Sequence, residues 1–155
     1  MKTKHKILIV LLVIFIGMQF YVPEKNLSKG EPKLDFLHLT NPSREIADIF
    51  TTSCYDCHSN FTYYPWYSRI APVSYWLSHH INEGKEHLNF SEWENYPRDK
   101  KIRKLEEIRE EVQEKEMPLK SYTLLHGNAK LSNDQIFDLL EWVDKIKKGY
   151  ESGVR

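Results

Sequence analysis

Cys54-Tyr55-Asp56-Cys57-His58 contains both cysteines of the chain, and the patterns on either side of it decide the fold. Upstream, Asn41-Pro42-Ser43 followed by Glu45 reads as a helix start: Asn41 or Ser43 can cap the free amides, and Pro42 suits the first turn. Ile46, Ile49 and Phe50 mark one apolar face of this helix, which runs straight into Cys54. Downstream, Phe61-Thr62-Tyr63-Tyr64-Pro65-Trp66-Tyr67 is aromatic and turn-rich, and a helix is predicted over residues 72–81, ending near Gly84. Ile102, Leu105, Ile108 and Val112 recur at helical spacing among alternating charges and predict a helix over residues 98–115. Ser132-Asn133-Asp134-Gln135 is a capping-box pattern that opens a last helix, which turns Ile136, Leu139, Leu140, Val143 and Ile146 inward and ends at Gly149. No stretch sustains period-two alternation and no internal repeat is present, so the domain is expected to be all-α with long loops.

The spacing C-x-x-C-H is that of covalent haem attachment. Two thiols add across the two haem vinyl groups as thioethers, and the histidine after the second cysteine falls beneath the iron. Cys54 and Cys57 are therefore the candidate attachment residues for a single haem c, with His58 as the proximal iron ligand. Three other chemistries use the same residue types. A thioredoxin-like C-x-x-C follows a strand and opens the helix of a βαβ unit, whereas these cysteines end a helix. A disulfide across so short a loop would stabilise little and leaves His58 without a role. A zinc site needs four ligands, and there is no second C-x-x-C to complete the set, so His80 or His126 would have to be recruited.

Methionine is the common sixth ligand of electron-carrying haem, and its thioether raises the reduction potential relative to a second imidazole. Met1 and Met18 belong to the amino-terminal segment, which leaves Met117 as the candidate. It stands in Glu116-Met117-Pro118-Leu119, just after a predicted helix, where Pro118 restricts the backbone before it. The rivals are His79, His80 and His126, and without the haem motif Met117 would read as an ordinary core gap-filler. Tyr64, Trp66 and Trp76 are candidates for the wall of the haem pocket.

At the amino terminus, Lys2, Lys4 and Lys6 precede an apolar run over residues 7–22, which ends without a small-residue cleavage site. This segment, residues 1–23, reads as an uncleaved, single-pass anchor in the cytoplasmic membrane, a little short of the ~20 residues that span a hydrocarbon core. The lysines place its start in the cytoplasm and the globular part in the periplasm. Residues 24–33 read as a flexible tether, 34–150 as the haem-binding domain and 151–155 as a tail. With 22 basic and 22 acidic side chains the formal net charge is zero, so no basic field invites nucleic acid.

Beyond the pentapeptide, the chain resembles a bacterial haem-binding domain family of small, single-haem, usually membrane-anchored proteins. The resemblance spans residues 41–147 and rests on Cys54 through Asn60, Tyr64-Pro65-Trp66-Tyr67, Ala71-Pro72-Val73-Ser74, His80 through Gly84, Leu88-Asn89-Phe90-Ser91, Glu116-Met117-Pro118, and Tyr122 with His126. It implies a cytochrome-c-like helical domain with covalent haem on Cys54, Cys57 and His58 and Met117 on the distal side. The family pattern commonly has Arg where this chain has Lys85, which lacks the bidentate fork. The expected function is electron transfer between redox partner proteins at the membrane, without enzymatic activity. The alternative is a haem-based sensor or ligand-binding module with a labile distal ligand.

Overall fold

Two long helices lie antiparallel along one side of the domain: α6, Arg98–Gln113, and α8, Asn133–Glu151. Their apolar stripes meet through Leu105, Ile108 and Val112 on one helix and Leu139, Val143 and Ile146 on the other, all buried. Ion pairs run up the seam, Arg109 to Asp144 at 3.2 Å and Lys147 to Glu106. The Arg98 guanidinium closes the end by donating to the Tyr150 and Glu151 carbonyls. The structure is a computed structural model that describes residues 2–28 and 30–153; it is all-helical, and no strand occurs among those residues.

The remaining helices, in chain order, are α1 (Thr3–Met18), α2 (Phe36–Thr40), α3 (Arg44–Ser53), the single turn α4 (Tyr55–His58), α5 (Val73–His87) and α7 (Lys120–Leu125). Short 3₁₀ turns at Pro32–Leu34, Trp66–Arg69, Phe90–Asn95 and Gly127–Ala129 link them. Ser43 caps α3, and Ser132 with Gln135 forms the expected capping box on α8. Asn41 instead closes α2 in the left-handed region at φ 47°, a short helix whose five residues carry too little periodicity to be seen in the sequence. The core is an aromatic cluster centred on Phe36, whose ring lies 4.6 to 5.7 Å from those of Phe50, Phe90, Trp93 and Trp142. The fully buried Trp93 donates its indole N–H to the Tyr150 hydroxyl at 3.0 Å.

The amino-terminal anchor needs correction: among the described residues no helix is long and apolar enough to cross a membrane. At ~1.5 Å per residue, the 16 residues of α1 extend only ~24 Å, against ~30 Å of hydrocarbon, and its first turn carries Lys4 and Lys6. Phe20, Tyr21 and Val22 do not prolong it, because Gln19 is tied to the globular part. Its side chain accepts from the Ala71 amide at 3.1 Å and donates to the Ala71 carbonyl at 3.3 Å, and the Tyr75 hydroxyl donates to the Met18 carbonyl. The single-pass placement with a periplasmic domain is thereby overturned. The stretch read as a free tether is also held, since Asn26 donates to the Ser59 carbonyl and Thr62 hydroxyl and receives the Thr62 amide.

The helix predicted to end near Gly84 runs on to His87, and Gly84 has a different role. A Cβ placed there would lie 2.7 Å from the Cys57 carbonyl oxygen, so the missing side chain lets α5 lie directly against α4. Gly84→Ala is expected to destabilise the protein: crowding that contact costs about 1–3 kcal/mol, more than the ~1 kcal/mol of helix propensity alanine adds. Gly127→Ala, where a Cβ meets nothing within 4 Å, should stay within about 0.5 kcal/mol of the parent in thermal unfolding.

Candidate functional site

Ser53 ends α3, and Cys54 bends the chain with φ −126° and ψ −45° before one further helical turn. The Cys57 and His58 amides both donate to the Cys54 carbonyl, at 3.2 and 3.0 Å, and this closes the turn. Residues three apart share a helical face, so Cys54 and Cys57 are neighbours on one side of it, and both thiols are free.

Three side chains of the pentapeptide, those of Tyr55, Asp56 and His58, are held from outside. Tyr55 stacks on Phe90 with centroids 5.1 Å apart and donates its hydroxyl to Asp35 at 3.0 Å. The Asp56 carboxylate accepts from the Tyr63 amide at 2.9 Å and the Tyr122 hydroxyl at 2.7 Å, and its carbonyl accepts from Thr62 at 2.6 Å. His58 Nδ1 lies 3.0 Å from the Leu88 carbonyl. A carbonyl only accepts, so Nδ1 carries the proton and Nε2 keeps a lone pair. Just beyond, Asn60 donates to Glu92 and accepts from Asn89, at 2.9 and 2.8 Å, which stitches the turn to the Phe90–Asn95 segment.

Burial sets the protonation of all three candidate ligands. It lowers His58, with the Leu88 and Gly84 carbonyls opposing, so the imidazole is neutral at pH 7. Burial and the neighbouring Cys57 push the Cys54 thiol up to about 12, and burial with Asp56 pushes Cys57 up to about 11. Tyr122 is likewise raised by burial and by its bond to Asp56.

Beside Cys57 opens a cleft whose walls include Trp76 and His80 of α5, Tyr122 and Leu125 of α7, and His126. Of the sequence candidates, the structure brings Cys57, Trp76, His80 and His126 together here. Trp66 stands 77% exposed and edge-on to Tyr67, and the Tyr64 hydroxyl is turned away to receive the Asn26 amide at 2.8 Å. His58 lies against Leu88 and Phe90. Met117 is half-buried in the link from α6 to α7, with Leu119, two residues on, in the cleft wall. His79 is exposed and pairs with Glu83 at 3.2 Å. His80 gives Nδ1 to the Trp76 carbonyl at 2.9 Å, while His126 has both nitrogens engaged, by the Tyr122 carbonyl and the Tyr67 hydroxyl, each at 3.1 Å. Lys85, at the position of the family's arginine, donates to Asn26 at 2.7 Å. Sequence reading did not single out Asp56, Asn26 or Thr62; the only local signal was the density of small polar residues around the motif.

The donor set suits covalent haem: two unpaired thiols, protonated at neutral pH, on one face of a turn, then a neutral imidazole with an available lone pair, beside a cleft walled by aromatic and aliphatic groups. Fold and site together define an all-α domain built to hold a prosthetic group. The chain belongs to the haem-binding domain family, whose profile matches residues 13–145, and it is accordingly a haem-binding protein. No curated protein matches it, and neither does any solved structure.

The raised thiols predict a pH dependence. The folded chain keeps protons that unfolded cysteines release above about 8.5, so stability is full below that pH and falls as pH rises toward the folded values near 11 and 12. In haem-free protein the urea midpoint should decline between about pH 8.5 and 10, and the double variant C54A/C57A should lose most of that slope.

Proposed function

We propose that the chain is a monohaem c-type cytochrome that carries single electrons between redox partner proteins and catalyses no reaction of its own. Cys54 and Cys57 would hold the haem through two thioether bonds, with His58 as its proximal ligand and Met117 on the distal side. The observation that carries the reading is the α4 turn: two free, protonated thiols three residues apart, followed at once by an imidazole whose tautomer the Leu88 carbonyl selects.

When bound, the haem supplies a one-electron iron couple. The protein's part is to bind, orient and shield. The Nδ1–H bond to Leu88 fixes the His58 ring and makes Nε2 a stronger donor. Trp76, Leu125 and Tyr122 line the cleft beside Cys57 and would cover part of a haem seated there, and a drier site disfavours the more highly charged ferric state, which raises the potential. A carrier needs no general acid or base, and the Asp56 carboxylate beside Cys57 is engaged by the Tyr63 amide and the Tyr122 hydroxyl.

The test is a pyridine haemochrome on protein produced with haem-attachment machinery. Haem should stay with the chain after acid–acetone extraction, and C54A/C57A should lose it entirely. Met117→Ala should abolish the weak ferric charge-transfer band of a sulfur–iron bond, admit carbon monoxide to the ferrous protein, and lower the potential by on the order of 0.1 V. Extractable haem would defeat covalent attachment, and rapid carbon monoxide binding by the parent protein would favour a ligand-binding module over a carrier.

A further inference from the structure

Helix α7 buries none of its residues, and Leu124 and Leu125 are 83% and 58% exposed, so apolar packing alone holds it weakly. Yet α7 follows directly on Met117. The upstream end of this segment is tied to α6, because the Glu116 and Met117 amides both donate to the Glu111 carbonyl, at 3.0 and 3.1 Å. The downstream end is tied at buried Ala129, whose carbonyl accepts from Ser53 at 3.1 Å. Between these points the segment is bonded to the rest of the domain by Tyr122, to Asp56 at 2.7 Å with the Thr52 carbonyl a weaker second acceptor at 3.3 Å, and by His126, to Tyr67 at 3.1 Å.

Asp56 is itself immobilised by the Tyr63 amide at its other carboxylate oxygen and by Thr62 at its carbonyl. Tyr122 in turn stacks on His126 with centroids 4.2 Å apart, and His126 is bonded to Tyr67. One carboxylate thus gathers the attachment turn, the residues after it and α7, and through Tyr122 and His126 the Trp66–Arg69 turn.

We propose that Asp56, the spacer residue beside Cys57, and Tyr122 are positioning residues: their hydrogen bond sets the distance between the haem-attachment turn and the segment that delivers Met117. A hydroxyl on a carboxylate is a strong bond, and an otherwise lightly packed helix depends on it. The inference rests on the Met117 reading and adds to it the device that keeps a weak thioether ligand in place. Both residues act through Met117 and touch neither ligand nor iron in this role.

The experiment uses covalently loaded protein and imidazole as a competing ligand for ferric iron, followed by the sulfur–iron charge-transfer band. Tyr122→Phe removes only the hydroxyl and keeps the ring stacked on His126; Asp56→Asn keeps the shape and surrenders one acceptor. Each should retain haem and helical content yet bind imidazole about tenfold more tightly than the parent, and the double variant should be no worse than the stronger single, because the same hydroxyl-to-carboxylate bond is removed or loses its charge in all three. Tyr150→Phe, which removes the Trp93 bond in the core, controls for general loosening and should leave imidazole affinity unchanged even where it lowers the unfolding temperature. Unchanged affinity in both single variants, with the band intact in the parent, would overturn this inference alone. Absence of the band in the parent would overturn the Met117 assignment and this inference with it.

Discussion

At Gly84 two elements meet backbone on backbone: α5 lies on the Cys57 carbonyl with no room for a side chain between them. Much of the site follows from that contact. With α5 drawn so near, its carboxyl end brings the Leu88 carbonyl to His58 Nδ1, and Lys85 reaches Asn26. The next segment then delivers Asn89 and Ser91 to Asn60. Toward its amino end the same helix lays Trp76 and His80 along the cleft. A glycine within a helix weakens it, and here the gap it leaves sets the register between two elements.

Two kinds of cohesion divide the domain. On the side of α6 and α8 the aromatic cluster around Phe36 and the aliphatic seam dominate, and burial of large apolar side chains there provides the bulk of the stability. Around the pentapeptide the cohesion is polar: Asp56, Asn26, Asn60 and Asn89 each make two or more directional bonds, at least one of them to a distant part of the chain. Each such bond contributes only ~1 kcal/mol net, but a buried one left unmade costs ~1–3 kcal/mol, so the network specifies one arrangement more than it adds to stability. Among the described residues no buried side-chain nitrogen or oxygen lacks a partner. That suits a site whose ligand atoms must be presented in fixed orientation.

The α1 helix stands apart from both. Its apolar residues from Ile7 to Ile16 are 44–66% exposed, and the segment is joined to the domain at its end, through Met18, Gln19 and Tyr21 against Ala71 and Tyr75. Hydropathy summed along residues 7–22 suggested one continuous element, but a polar side chain at Gln19 with a backbone partner at Ala71 divides it.

What the sequence determined by itself was whatever depends on neighbours along the chain. The periodicity of α3, α6 and α8, the Ser132 capping box and the spacing of Cys54, Cys57 and His58 are local properties, and each is found where the residues put it. Tertiary structure alone decided the rest: that Gly84 sits inside a helix, that Asn26 is pinned, that Asp56 meets Tyr122 across 66 positions, and that Trp76 joins the cleft while Trp66 stays at the surface. The physical reason is range. Helix formation and motif chemistry act over three or four residues, whereas a close backbone approach or a carboxylate's choice of donor exists only once distant segments have been packed together.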